Sequence, residues 1–290
     1  MSKIEDALNK ARIEGNNYSP RQSSSKNTEL VSSAAGNNSS QLAIRSDYQE
    51  IVLMNDSELL DTDQLSDLGI IYSGMSDRKQ ANNYRDIRTK LIQKNNGNNF
   101  IVMITSCYSE DVSEFTLNLA TAFTFDESKT SLLIDTNLHS SDLDNKLNLE
   151  SNLGLTDYLT NDEIDIESIV LRSGIKRLRV IPVGTQNETV SECFTSLKMR
   201  DLMSDLLSRY SDRYIFINSA PVKDSADTRI LLELCDYVVL TVPYGTSSVS
   251  SIKDAADAIG ENKLLGVVFN DIPNLASIKI PGLRSNKKNS

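Results

Sequence analysis

The sequence has very little of the chemistry on which metal sites and nucleophilic sites usually depend. His139 is the only histidine in 290 residues, so a histidine-based zinc site or a serine–histidine relay has almost nothing to be built from. The three cysteines, Cys107, Cys193 and Cys235, are far apart and form no CxxC pair. We interpret them as reduced packing residues of a cytosolic protein, with a reactive role for one of them as the alternative.

Further absences concern membranes and nucleic acids. No apolar run approaches the ~20 residues that a membrane-spanning helix needs. The N-terminal stretch MSKIEDALNKARIEG carries acids and lacks the apolar centre of a secretory signal. The formal net charge of -10 argues against a general affinity for nucleic acid or for bare anionic membrane. We therefore expect a soluble, cytoplasmic protein.

The first 46 residues contain two segments of different character. Residues 1–14 are predicted to hold a short helix with Ile4 and Leu8 on one apolar stripe. A helix of this length is marginal alone in water, so it is interpreted either as a frayed terminus or as a docking helix for a partner. Residues 15–46 are rich in Ser and Asn and poor in large apolar residues, which is typical of a flexible linker.

The rest of the chain predicts a helical lead-in over residues 47–98, a domain over 99–275 and a disordered tail over 276–290. In the domain, short and nearly continuous apolar strands alternate with helices. This pattern indicates an α/β fold with a mostly parallel sheet and helices on both faces. The predicted strands are 100–106, 131–135, 178–182, 214–218, 237–242 and 264–270, and the main predicted helices are 81–95, 114–124, 196–209, 226–234 and 248–259. Ligands of such sheets lie beyond the carboxyl ends of the strands.

Many short stretches, in one order, resemble the cytoplasmic domain of bacterial tyrosine autokinases that serve polysaccharide export. These kinases are relatives of the MinD/ParA P-loop ATPases. The stretches are YRDIRTKL, SLLIDTNL, GLTDYL, LRVIPVG, SECFTSLKM, YIFINSAPVKDSADTRILLELCDYVVLTVPYG and KLLGVVFN, and they fall within residues 80–272. The sequence is most similar to a degenerate branch found in exosortase-associated exopolysaccharide clusters. The resemblance implies a P-loop NTPase fold of the MinD/ParA kind.

By this resemblance, the stretch TSCYSEDVSEFTLNLATAF is the phosphate-binding loop and its helix. Carried over residue by residue, Ser109 and Asp111 take positions of loop glycines, Val112 that of the phosphate-binding lysine and Ser113 that of the magnesium-binding Ser/Thr. Glycines let backbone N–H groups close on phosphate. Two like charges 4 Å apart repel by about 4 kcal/mol at an effective dielectric of 20, whereas the helix macrodipole contributes only about 0.3–1 kcal/mol. Repulsion by Asp111 should dominate, so tight ATP binding is not expected.

Two acidic motifs of the family are altered as well. The Asp-x-Asp motif after the second strand keeps Asp135 and has Asn137 in place of its second aspartate. The Walker B strand ends in Asn218, and a neutral amide holds the water shell of magnesium far more weakly than a carboxylate does. Asn270 takes a position that reads the base in related ATPases. We expect a degenerate nucleotide site with no catalytic residue and no metal ligand.

Two features that the resembling kinases need for autophosphorylation are incomplete. Their C-terminal tyrosine cluster has no counterpart, because residues 276–290 contain no tyrosine. Their ring-forming helix carries a glutamate followed by two arginines, and here the three positions are Asn82, Arg85 and Arg88. Arg85 and Arg88 are candidates for pairing with acids of a neighbouring subunit. The alternative is an exposed basic face on an ordinary helix.

Three hypotheses for the function follow. The favoured one is a non-catalytic P-loop kinase homologue that acts as a scaffold or regulator in exopolysaccharide or capsule biosynthesis and export. It would need no cofactor, bind no nucleic acid and reach the inner membrane only through a partner, either a membrane chain-length (polysaccharide co-polymerase) protein or a catalytically intact kinase paralogue, with a homo-oligomer as a further option. The second is an active ATPase or tyrosine autokinase that uses ATP and magnesium, with Lys223 as its only candidate for the missing positive charge. The third is a positioning ATPase of the MinD/ParA kind.

Overall fold

The computed structural model describes residues 59–270, except for 109–110, 140–141, 150–152, 186–189, 210 and 246. The predictions for residues 1–14, 15–46 and 276–290, including Ile4 and Leu8, therefore lie outside the described residues. The predicted domain boundaries stay predictions.

Seven strands of the described chain form one sheet in the order β3-β4-β2-β5-β1-β6-β7. All neighbouring strands are parallel except β3 and β4, which are antiparallel. The strands are β1 (Ile101–Ser106), β2 (Thr130–Asp135), β3 (Leu171–Arg172), β4 (Leu178–Ile181), β5 (Arg213–Asn218), β6 (Tyr237–Pro243) and β7 (Leu264–Asn270). The predicted mostly parallel sheet is confirmed.

Helices cover both faces of this sheet, as predicted. They are α1 (Thr62–Asp67), α2 (Arg78–Lys94), α3 (Ser113–Phe123), α4 (Asp142–Leu147), α5 (Leu155–Thr160), α6 (Ile166–Ile169), α7 (Leu197–Arg209), α8 (Ala226–Leu231) and α9 (Val249–Ile259), with 3-10 turns at Val190–Thr195 and Leu232–Leu234. One apolar core lies between the sheet and α2, α3 and α4. The other lies between the sheet and α5, α7, α8 and α9.

The central strands are buried along their whole length because both of their faces are covered. Every residue of β1, β2 and β5 is buried. Phe100, just before β1, contacts the rings of Phe123 and Tyr214 at centroid distances of 5.8 and 4.8 Å. Aromatic pairs of this kind stabilise a core beyond the area that they bury. The centre of the sheet is thus a rigid base for the loops at its edges.

The lead-in before β1 is held to α3 by two hydrogen bonds of the buried Asn118. Asn118 accepts a hydrogen bond from Ile71 N at 2.7 Å and donates one to Gly69 O at 3.0 Å. At the other end of α3, Arg88 on α2 donates from Nη1 to Ala122 O at 2.7 Å. A cation on the last carbonyls of a helix satisfies a group that has no partner within the helix and complements the helix dipole.

Two glycines allow α5 to start against the end of β4. A Cβ on Gly154 would lie 2.4 Å from Gly184 N and from Pro182 O, and Gly184 itself has a φ of +85°. Asp157 fixes the junction, because its Oδ2 accepts hydrogen bonds from Gly154 N at 2.9 Å and Thr185 N at 3.0 Å. This backbone approach requires residues without side chains.

Candidate functional site

The carboxyl ends of three neighbouring strands and the start of α3 meet at one edge of the sheet. Asp135, the last residue of β2, pairs in register with Asn218, the last residue of β5. The loop after β1 leads into α3, whose first residue is Ser113. Parallel strands therefore place Ser113, Asp135 and Asn218 side by side, at the edge where α/β sheets bind their ligands.

Asn218 is completely buried, and its amide joins the other two residues. Its Nδ2 donates to Ser113 Oγ at 3.0 Å and to Asp135 Oδ1 at 2.9 Å. Its Oδ1 lies 3.3 Å from Thr116 Oγ1 on α3. In P-loop NTPases a Ser/Thr hydroxyl and an acidic residue at such positions serve magnesium. Here a neutral N–H₂ group lies between the hydroxyl and the carboxylate.

The N-terminus of α3 is bound by a carboxylate of the same loop. Asp111 Oδ1 accepts hydrogen bonds from Ser113 N at 3.0 Å and from Ser113 Oγ at 2.6 Å. The first N–H groups of a helix have no partner within the helix, and in P-loops they bind phosphate. The exposed Asp111 thus supplies an anion from within the chain to the end of the helix where a phosphate would bind.

The side chain of Val112 is not accessible to a ligand. Its side chain is fully buried and belongs to the core between the sheet and α3. A lysine at this position would therefore have to leave the core before it could reach a phosphate. Ser109, predicted to replace a loop glycine, lies outside the described residues.

Asp135 lacks a full set of hydrogen bonds. Its Oδ1 accepts from Asn137 N at 3.0 Å as well as from Asn218, whereas no described group bonds to its buried Oδ2. Burial raises the pKa of Asp135 to about 7, against the opposing effect of these hydrogen bonds, and the carboxylates of Asp144 and Asp111 raise it further. Burial also raises the pKa of Asp144 on α4, whose Oδ1 has no partner among the described residues.

Two lysines lie near the loop, and each contacts an acid of the chain. Lys223, the candidate from the sequence, approaches Asp254 Oδ2 at 3.3 Å and lies 5.5 Å from the centre of the Tyr108 ring. Lys146, which the sequence analysis missed, contacts Glu114 Oε2 in the first turn of α3 at 2.6 Å. It was missed because α4 is a short helix that was not predicted. The position of Lys146 in sequence could have indicated it, since α4 follows the carboxyl end of β2, where the ligands of such sheets bind.

The remaining predicted residues have local roles in the described structure. Asn137 is buried, and its Oδ1 accepts from His139 N at 3.2 Å. Asn270 ends β7, an edge strand separated from β1 by β6, and its backbone oxygen accepts from Tyr244 N at 3.0 Å. Arg85 donates to Asn82 Oδ1 at 3.0 Å, and its guanidinium lies over the ring of Phe125.

The described residues contain neither a candidate metal cluster nor a candidate membrane span. No three described His, Cys, Asp or Glu side chains are grouped so that they could hold a metal ion. Among the same residues, no helix combines the length and the apolar character needed to cross a bilayer.

A seven-stranded, mostly parallel sheet whose first strand leads through a loop into a helix facing the ends of two other strands has the fold of the P-loop NTPases. No family model matches the chain. Tyrosine-protein kinase CpsD of Streptococcus pneumoniae is 26% identical over 198 residues, which cover 67% of this chain and 86% of that protein.

Solved structures, among them two tyrosine kinase domains, have the same fold. The BceF tyrosine kinase domain superposes with a TM-score of 0.58 at 25% identity, covering 68% of this chain and 81% of that domain. The chimerical protein CapA2B2 gives a TM-score of 0.62 at 23% identity and covers 74% of this chain and 100% of its own. The kinase domain of Escherichia coli tyrosine kinase ETK gives 0.62 at 20% identity, with 69% and 78% covered.

The chain is therefore a homologue of the tyrosine kinase CpsD and shares the fold of bacterial tyrosine kinase domains. This confirms the family resemblance seen in the sequence. The narrower similarity to the exosortase-associated branch stays a prediction.

Proposed function

We propose that the protein is a non-catalytic kinase homologue that acts as a scaffold or regulator in bacterial exopolysaccharide or capsule biosynthesis and export. The observation that carries the first part is the Asn218 amide, which donates to both Ser113 Oγ and Asp135 Oδ1. The polysaccharide pathway comes from the family resemblance and is part of the proposal.

The residues at the sheet edge do not fit ATP with magnesium. A cation between Ser113 and Asp135 would have to displace both hydrogen bonds of the Asn218 amide, at a cost of about 0.5–1.5 kcal/mol for each. A phosphate at the start of α3 would meet the Asp111 carboxylate, which already accepts from Ser113 N. The nearby lysines could contribute only by leaving Asp254 and Glu114.

Phosphoryl transfer tests the catalytic part of the proposal. The purified protein is incubated with radiolabelled ATP and magnesium, alone and with a tyrosine-containing peptide, with the CpsD kinase as the positive control. We expect neither phosphate release nor label on protein or peptide above the background of a heat-inactivated sample. Transfer that disappears in Asp135→Asn would refute the non-catalytic assignment.

The scaffold part of the proposal requires a partner. We propose a membrane chain-length (polysaccharide co-polymerase) protein or a catalytically intact kinase paralogue as this partner, with the protein at the inner membrane through that contact. Residues 1–14 would dock through Ile4 and Leu8, the apolar positions of the predicted helix.

Replacement of these two residues tests the docking. The double variant Ile4→Ser/Leu8→Ser should lose co-purification with a candidate partner while its melting temperature stays unchanged. A matched control changes two apolar residues of the predicted linker, Leu30→Ser/Val31→Ser, and should leave co-purification intact. If both double variants co-purify like the unmodified chain, residues 1–14 do not dock.

An active ATPase or tyrosine autokinase is the second candidate. It is favoured by the presence of Ser113 and Asp135 and by the Oδ2 of Asp135, which has no partner among the described residues and could accept a ligand. The same transfer assay decides between the two. A MinD/ParA-like positioning ATPase is less favoured, because such proteins need a signature lysine in the loop, where this chain carries acids.

A further inference from the structure

A second concave site lies at the opposite edge of the sheet, near the amino ends of β4 and β5. The cavity measures about 280 Å³. Five apolar or aromatic side chains from α5, α6, α7 and the residue after α6 form its walls, namely Tyr158, Ile166, Val170, Leu202 and Leu206. Ligand pockets in proteins are typically mostly apolar with a few convergent polar groups, so the charged residues of this cavity decide what it could bind.

Three arginines converge on the cavity from different elements. Arg179 comes from β4, Arg213 from the start of β5 and Arg209 from the last turn of α7. Two carboxylates, those of Glu167 and Asp205, line the same cavity, so the local charge is positive. No ion pair within 4.0 Å between Arg209 and either carboxylate occurs in the described structure.

A fourth arginine adds to this positive charge. Arg172 of β3 lies directly opposite Arg179 in the antiparallel pair. Directly opposed residues share a face of the sheet, and like charges in such a pair destabilise it. The chain as a whole has a formal net charge of -10. Four arginines on one face of the sheet therefore lie close together in a protein whose overall charge is negative.

We propose that this cavity binds a phosphate monoester carried on an apolar body. The planar guanidinium groups match phosphate oxygens through paired hydrogen bonds. Arg213 is only 8% exposed, so an anion at its side of the cavity would be poorly screened by salt. The apolar walls would contact the rest of the ligand. The site is separate from that of Ser113 and Asn218, and its ligand could come from a free metabolite or from a lipid headgroup.

Titration of the full-length protein with phenyl phosphate tests the proposal, because this probe combines the anion with an apolar ring. Saturable binding with a dissociation constant below about 1 mM is expected. Inorganic phosphate, which lacks the ring, should bind several-fold more weakly, and phenol should not bind. Vesicles of phosphatidylcholine with and without phosphatidic acid distinguish a lipid source from a free one.

Four substitutions on α7 distinguish binding in the cavity from a general effect of the charge of the protein. Arg209→Gln, in the cavity, should weaken phenyl phosphate binding about tenfold, the size of one charge-assisted contact. Arg200→Gln is an equal charge change at an exposed residue of the same helix outside the cavity and should leave affinity unchanged. Asp205→Asn should raise the affinity, and its exposed control Asp201→Asn should not.

Each outcome either supports the proposal or overturns it. Phenyl phosphate binding that falls in Arg209→Gln and rises in Asp205→Asn supports a phosphate site. Binding only to vesicles with phosphatidic acid, with the same response to both variants, supports it with a lipid source. No binding of either probe, or an equal response of Arg209→Gln and Arg200→Gln, would overturn the proposal. All four substituted residues are exposed, so the variants should remain folded.

Discussion

The two ends of the sheet differ in the arrangement of their polar and charged groups. At the carboxyl ends of β2 and β5, the polar groups contact one another, since the Asn218 amide bonds to Asp135 and the Asp111 carboxylate bonds to Ser113. At the amino ends of β4 and β5, three arginines face one cavity with two carboxylates, and a fourth lies beside them. At the first end, the described polar groups bond to one another. At the second end, the arginines lie around a cavity that a ligand from outside could enter.

This difference shows that the fold of a P-loop site and its chemistry have to be considered separately. The fold is present, since the strand order and the start of α3 bring Ser113, Asp135 and Asn218 together. The polar groups of this site hydrogen-bond to one another, apart from the buried Oδ2 of Asp135, to which no described group bonds. Catalytic sites, in contrast, usually concentrate unmatched charge. Substitutions in both regions test this difference.

The largest effect is expected for Asn218→Asp. The change removes the amide that bonds to Asp135 and leaves two buried carboxylates side by side, so the free energy of unfolding should fall by about 3 kcal/mol at pH 8. At pH 5 one carboxyl can hold a proton and the loss should shrink. Urea unfolding at both pH values measures it. Asn161→Asp, at an exposed helix end, is the matched control and should change little. An equal, pH-independent loss in both variants would contradict the account.

A smaller effect of opposite sign is expected for Asp135→Asn. Because the pKa of Asp135 is raised to about 7, the folded state binds more protons than the unfolded state between about pH 4 and 7. Stability from this group is therefore complete below the ordinary pKa and falls as the pH rises through 7. The variant lacks this titration and keeps the acceptor. It should be more stable than the unmodified chain by on the order of 2 kcal/mol at pH 8 and equal to it near pH 4.

Asp126→Asn serves as the contrasting control for this titration. Burial acts to raise the pKa of Asp126, but hydrogen bonds from Ser128 and nearby positive charges lower it below its usual value. Its contribution is therefore present at neutral pH and lost as the pH falls, so this variant should be less stable at pH 8. If both aspartate variants shift stability in the same direction, the assigned environment of Asp135 is wrong.

The smallest changes in the free energy of unfolding are expected for substitutions of two arginines in different surroundings. Arg88→Gln removes the hydrogen bond to Ala122 O at the end of α3 and should lower the free energy of unfolding by about 1 kcal/mol. Arg209→Gln relieves like charge at the cavity and should change stability by less than about 0.5 kcal/mol in the absence of ligand. Thermal unfolding of both variants measures this. A larger loss for Arg209→Gln would mean that the cavity arginine is structural.

The sequence predicted the sheet well because its strands are apolar runs with little ambiguity. The predicted bounds of β7, residues 264–270, agree with Leu264–Asn270, and those of β1, β2 and β5 agree to within one residue. β3 was missed, because two residues carry no pattern and their conformation depends on pairing with β4. Short helices such as α4 and α6 depend on tertiary contacts in the same way.

The candidate site was predicted less completely. The meeting of Ser113, Asp135 and Asn218 follows from the rule that the carboxyl ends of parallel strands share an edge. The contacts of the Asn218 amide could not be predicted, because they depend on the distance between β5 and α3. For the same reason the sequence could not show that Val112 faces the core.

A calorimetric titration with ATP and magnesium, with ADP in parallel, tests the central claim most directly. The account predicts no saturable heat up to millimolar nucleotide, because the Asn218 amide already bonds to Ser113 and Asp135 and the Asp111 carboxylate already bonds to Ser113. Micromolar binding that requires magnesium and disappears in Asp135→Asn would contradict it. That result would mean that Asp111 and Asn218 move aside and that Lys146 or Lys223 supplies the missing positive charge.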